Sequence, residues 1–165
     1  MKVAIIHDFL IKIGGAEKVL ESLHQIYPDA PIYTLLYDEA GTKGVFSGDD
    51  YQIRTSFLQK YPEYIRKKSK LLLTKFPRAI EEFDLSGFDL VISNSNSFAH
   101  GVITKPSTLH ICYCHSPIRY ICDWHHEYLK ENDISFNKIG ITIRTVLSNI
   151  RLWDYYSSFR PDVWI

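Results

Sequence analysis

Two stretches of this sequence carry residue types that could act on a charged ligand. Gly14 and Gly15, in IKIGGAEKVLESL, stand between an apolar run and an amphipathic one. Lacking a Cβ, they let a phosphate approach the backbone closely, and a helix starting there points its free N–H groups and positive end at the anion. A glycine pair also serves simply to turn the chain between strand and helix, and the pattern leaves both uses open. Two nucleotide fingerprints are excluded: no G-x-G-x-x-G occurs, and GGAEKV lacks the Gly-Lys-Ser/Thr ending of a P-loop.

The second stretch is ICYCHSPIRYICDWHHEYL, residues 111–129. His115 directly follows an apolar run, which places its imidazole at a sheet edge, where a base or a ligand contact would be useful. Ser116-Pro117 then predicts a helix start with proline at the first helical position. On that helix Ile118, Ile121, Cys122, His125 and Leu129 share a packing face, while Arg119, Asp123 and His126 follow the other. Arg119 and Asp123 form either an i, i+4 ion pair or a pair of ligand contacts. The three cysteines, Cys112, Cys114 and Cys122, are too few and too close together for a disulfide framework. Cys112 and Cys114 alternate onto one face of a strand with no second ligand pair at zinc spacing, so no metal is expected and they read as small core residues.

A third feature is KYPEYIRKKSKLLLTKFPR, residues 60–78. Lys60, Arg66, Lys67, Lys68, Lys70, Lys75 and Arg78 face the single acid Glu63 and alternate with Tyr64, Ile65, Leu71, Leu72, Leu73 and Phe76. A basic amphipathic helix of this kind lies in the headgroup region of an anionic membrane; the alternative is the solvated face of a core helix. Nucleic acid is not expected. Across the 165 residues 19 Lys and Arg balance 19 Asp and Glu, and no other basic stripe or stacking platform is present.

The elements that must position these residues alternate. Apolar runs at 2–6, 31–37, 88–94, 109–114 and 161–165 predict strands buried on both faces of a sheet. The helical period predicts helices over 16–27, over 62–83 with a break near Pro77, and over 139–157 with Ile143, Val146, Ile150 and Trp153 inward. That order gives an α/β fold, a doubly wound, Rossmann-like, mostly parallel sheet with helices on both faces and ligands beyond the carboxyl ends of its strands. Residues 41–60 are expected to wander outside the sheet, and Asp38 after the second strand reads as a solvated turn residue. No signal segment opens the chain and no apolar run reaches membrane-spanning length, which points to reduced cytosol. The chain runs out inside an apolar, strand-like segment at Ile165, so residues 1–165 read as a single domain of a longer protein.

Taken in order, HDFLIKIGGAEKVLESL, DLVISNSNSFAHGV, YCHSPIRYICDWHHEYL and IRLWDYYSSFRPDVWI resemble the N-terminal half of a family 4 glycosyltransferase of the GT-B fold, most similar to bacterial mannosyltransferase-like members of cell-surface polysaccharide pathways. The resemblance covers nearly the whole chain. It implies a two-domain, retaining enzyme, with the C-terminal sugar-nucleotide-binding domain absent from this chain. The expected reaction moves a hexose, with mannose from GDP-mannose as donor, to a lipid-linked or oligosaccharide acceptor, with no metal and no cofactor beyond the nucleotide sugar. Gly14 and Gly15 match the loop that approaches the donor diphosphate, and His115 matches the histidine that reaches the transferred sugar. Asp8, Arg119 and Asp123 fall on the acceptor side. The resemblance also favours membrane contact through Arg66, Lys67, Lys68 and Lys70, hence a cytoplasmic protein held at the inner face of the cell membrane. The alternative is a non-catalytic α/β module that binds a nucleotide or a sugar.

Overall fold

Six parallel strands form one sheet: β1 (Val3–Leu10), β2 (Ile32–Tyr37), β3 (Ile53–Thr55), β4 (Leu90–Ser95), β5 (Leu109–Cys114) and β6 (Val163–Trp164), laid side by side in the order 3-2-1-4-5-6. The computed structural model describes residues 1–48, 50–118, 121–122, 124–134 and 137–165, the side chains of Ser69 and Lys70 excepted. The chain is an α/β domain whose strand order reverses between β1 and β4. That is the Rossmann order, and the reversal opens a crevice at the carboxyl ends of those two strands.

Each sheet face is covered. α1 (Gly15–Ile26) lays Leu20 against Ile5 and Ile32, with Ala30 and Phe46 completing this core. On the other face Ala4, Ile6, Tyr33 and Val91 pack beneath α3 (Phe76–Glu81) and α5 (Lys138–Ser157). Leu147 and Ile150 are buried there, and Ile143, Val146 and Trp153 pack beside them, as the periodicity predicts. Full burial of one such aliphatic side chain contributes about 1.5–3 kcal/mol. α5 approaches the turn Ala99–Gly101 after β4 closely because Gly101 has no side chain: a Cβ there would lie 2.3 Å from the Trp153 ring.

Three expectations are corrected. Residues 41–60 do not all leave the sheet, because 53–55 form its edge strand β3. So short a strand, paired on one side and half solvated, has no apolar run to betray it. The helix expected from Ser116-Pro117 does not begin there. Residues 116–118 are not helical, a turn closes from Ile118 to Ile121 and Cys122, and α4 spans only His125–Glu131. Ile118 and Ile121 are buried all the same. Ile121, Cys122 and Trp124 are weak helix formers, and α4, from His125, carries the stronger Glu127, Leu129 and Lys130.

The third correction concerns 62–83. No continuous helix forms there: α2 is the single turn Glu63–Arg66, Ser69–Lys75 is a tighter 3-10 stretch, and α3 follows. The break falls at Lys68, whose φ of −100° and ψ of 57° are not helical, while Pro77 sits in the first turn of α3, which suits it.

Candidate functional site

β1 continues past its apolar run to Leu10, so His7 and Asp8 are strand residues at the crevice. Alternation sends their side chains to opposite faces. His7 joins Ile5 on the α1 side, where its Nε2 lies 3.3 Å from Oε1 of Glu17. The register pairs His7 with Asn94 of β4. Asn94 Nδ2 donates to the Ala16 carbonyl at 2.8 Å and lies 3.1 Å from His7 Nδ1, and its Oδ1 is 2.6 Å from His115 Nε2. One asparagine therefore ties the glycine-loop helix to the histidine after β5, and β1, the start of α1 and the end of β5 meet at it.

Asp8 points the other way. Its two carboxylate oxygens accept the backbone N–H groups of Asn96, Ser97, Phe98 and Ala99 at 2.5–2.8 Å, and the residue is 2% exposed. These bonds gather the loop after β4 around a buried charge, which four donors satisfy. Asp8 acts on the crevice through that loop, since none of its oxygens is left for a ligand.

The electrostatics follow from this packing. Burial pushes the Glu17 carboxyl up, but the bond to His7, the N–H groups of Glu17 and Gly14 and the adjacent imidazole outweigh it, and the carboxyl sits below its ordinary 4.5. Burial, then the neighbouring His7, holds His115 below 6.5 against the opposing pull of Asp8 and Glu17. A half-buried, neutral imidazole with carboxylates behind it can hydrogen-bond a ligand without competing for its negative charge.

The glycines divide the work. Gly14 precedes α1 in an extended conformation, and a Cβ on it would stand 3.0 Å from Glu17 Oε2. Gly15 is exposed, and a Cβ on it would meet nothing within 4 Å. Among the described residues nothing crowds position 15, so the start of α1 opens onto free space there. Arg119 and Asp123 lie outside the described residues.

The basic segment sits beside the end of β2. Ile11, Leu36, Tyr37, Asp38, Glu39, Gln59, Glu63, Arg66 and Lys67 enclose a cleft of about 530 Å³. Lys67 pairs with Glu63 at 2.6 Å, Arg66 Nε donates to the Tyr61 carbonyl, Lys68 is exposed, and Lys70 is not described beyond its backbone. The apolar side of the segment is spent on the core, where Leu72 and Phe76 are buried, leaving Tyr64 and Leu71 exposed. Among the described residues no three His, Cys, Asp or Glu side chains form a cluster able to hold a metal. Cys112 is buried in β5, and desolvation pushes its thiol up to about 12, which suits a packing role.

Sequence reasoning missed His7, Glu17 and Asn94. Their signals are thin. Glu17 stands three residues into the glycine loop, and His7 and Asn94 each follow an apolar run, but only the strand register shows that they meet. Fold and geometry together define the class: a doubly wound α/β domain with a polar site at its topological switch point. No family model, curated protein or solved structure matches the chain, so comparison with known proteins places it in no family. No helix among the described residues is long and apolar enough to cross a membrane.

Proposed function

We propose that this chain is the N-terminal half of a retaining glycosyltransferase that moves a hexose, mannose from GDP-mannose, to a lipid-linked or oligosaccharide acceptor in cell-surface polysaccharide synthesis. The observation that carries the reading is the position of Asn94. It bonds Ala16 at the start of α1 and His115 after β5, so the two segments on which the resemblance rests converge at the switch point. In this reading Gly15 leaves room for the donor diphosphate, and the α1 N-terminus stabilises the charge that develops as the nucleotide leaves. His115 contacts the transferred sugar, Asp8 shapes the 96–99 loop, Arg119 and Asp123 serve the acceptor, and a following domain supplies most donor contacts.

The test is sugar transfer by the gene product that includes the following domain, with GDP-mannose and other sugar nucleotides against a polyprenyl-linked acceptor. Transfer that collapses in His115→Ala and Gly15→Val is the expected result. If no donor is consumed while the 165-residue chain binds a nucleotide or sugar by itself, a binding module replaces this reading. Membrane contact through Arg66, Lys67, Lys68 and Lys70 belongs to the same proposal, supported by the exposed Tyr64 and Leu71 beside them. Flotation with anionic liposomes is expected to be lost when the four cations are neutralised. Equal flotation of both proteins, or of neither, removes the membrane part.

A further inference from the structure

We propose that Glu17, His7 and Asn94 form a one-way hydrogen-bond chain that holds His115 as its Nε2–H tautomer, so that it meets its ligand with Nδ1 as an acceptor for a hydroxyl group. The ligand half of this rests on the glycosyltransferase reading; the tautomer half does not.

The direction of every bond follows from one carbonyl. The Ala16 oxygen can only accept, so the Asn94 atom 2.8 Å from it is the amide nitrogen, and the amide cannot be turned over. The second hydrogen of that nitrogen is directed to His7 Nδ1 at 3.1 Å, which must therefore carry a lone pair. His7 then holds its proton on Nε2 and donates it to the Glu17 carboxylate at 3.3 Å. With its nitrogen spent, Asn94 offers Oδ1 to His115, and an oxygen 2.6 Å from Nε2 requires the proton on Nε2. His7 and Asn94 are buried, so water cannot readily reverse the order. His115 Nδ1 makes no hydrogen bond among the described residues, which leaves its lone pair for a ligand. A lone pair accepts from a hydroxyl and is repelled by a phosphate oxygen. The site thus separates its ligand chemistry, with hydroxyl at His115 and anion at the Gly15 end of α1.

The chain itself needs no substrate to be tested. In the 165-residue protein labelled with ¹⁵N-histidine, long-range nitrogen–proton correlation at neutral pH is expected to show Nε2–H for both His7 and His115. His115 protonated on Nδ1 overturns the proposal, and this spectrum requires no variant that could fail to fold. In Asn94→Ala the two nitrogen shifts of His115 are expected to move toward each other as both tautomers become populated; unmoved shifts overturn the chain. His115→Gln sets an amide donor near the Nε2 position and removes Nδ1. It is expected to melt like wild type and to lose at least about tenfold in transfer by the full gene product, relative to a wild type shown to be active. Retained transfer overturns the ligand half alone, and a wild type that consumes no donor overturns the glycosyltransferase reading while the spectrum still decides the tautomer.

Discussion

Asn94 and Ser95 are neighbours in β4, yet they face opposite sides of the sheet and hold different histidines. On the α1 side His115 gives one ring nitrogen to Asn94 and keeps the other. On the α5 side His100 has both nitrogens engaged: Nδ1 is 3.3 Å from Ser95 Oγ, and Nε2 is 3.0 Å from Ser157 Oγ and 3.3 Å from Asp154 Oδ1. The rings of Trp153 and Trp164 flank it at 5.7 Å. Nearby, Arg160 bonds the Gly101 carbonyl and pairs with Glu81, which also accepts from Trp153. A histidine whose every polar atom is satisfied by its own chain ties elements together, and one with a spare nitrogen beside a helix N-terminus is equipped to meet something else. The α5 face is thus a bonded side, where the spare nitrogen of the neighbouring His110 is sealed by full burial, and the α1 face, with a reachable nitrogen on His115, is the side we read as binding.

Exchanging the damage between the faces is the most severe test. On the proposed glycosyltransferase reading, His115→Ala is expected to lower transfer by roughly 100-fold or more, the scale of losing one well-placed polar contact to a transition state. Its stability should stay within about 1 kcal/mol of wild type, because removing the half-exposed His115 ring opens the otherwise buried Asn94 oxygen to water. His100→Ala removes a buried ring and its hydrogen bonds, and is expected to cost about 3 kcal/mol, a melting decrease of about 6–12 °C for a chain of this size. Calorimetry and initial rates on the two variants read both quantities. A His115 variant that melts early, or a His100 variant that folds well and transfers slowly, would erase the division.

Acid should act on the bonded side first. His110, also on that side, is fully buried with Nε2 2.9 Å from Ser93 Oγ and Nδ1 unpartnered. Burial, then the nearby His100, lowers it from 6.5 to about 4. In the unfolded chain it binds a proton below about 6.5 and in the folded chain only below about 4, so stability falls as pH drops between those values and levels off beneath them. The difference amounts to about 3 kcal/mol. Urea unfolding at pH 7 and pH 4.5 should show the loss, and His110→Phe should remove most of it. Acid sensitivity unchanged in that variant would move the cause to the other face, where burial also holds His115 below 6.5, so that stability is lost there as pH falls beneath that value.

The same contrast explains what the sequence disclosed. Apolar runs and the helical period specify β1, β2, β4, β5, α1 and α5, because their side chains answer to one dominant force, burial. Gly14, Gly15 and His115 were legible because they follow such runs directly. Asn94, His7 and Glu17 were not, since a polar residue at a strand end looks alike whether it meets solvent or two histidines separated by 108 positions from His7 to His115. Only the register His7 to Asn94 and the neighbouring β5 make them one group. The 62–83 segment misled for the opposite reason: its charges and leucines suit a helix locally, but Leu72 and Phe76 are claimed by the core and the backbone bends to deliver them.

The smallest expected effects separate the two glycines. Gly14→Ala places a methyl 3.0 Å from Glu17 Oε2, so either the carboxylate shifts from His7 or the helix start moves, at about 1 kcal/mol. Gly15→Ala meets nothing and replaces glycine in the first turn of α1 with a better helix former, so stability should change by no more than about 0.5 kcal/mol, in the favourable direction. On the proposed reading, donor binding by the longer protein should show the reverse ranking, with Gly15→Val weaker than Gly14→Ala, because of the two glycines position 15 borders open space at the helix start. Titration of GDP-mannose against both variants decides it. Equal affinities would mean that the pair merely turns the chain and that the anion site lies elsewhere on the binding side.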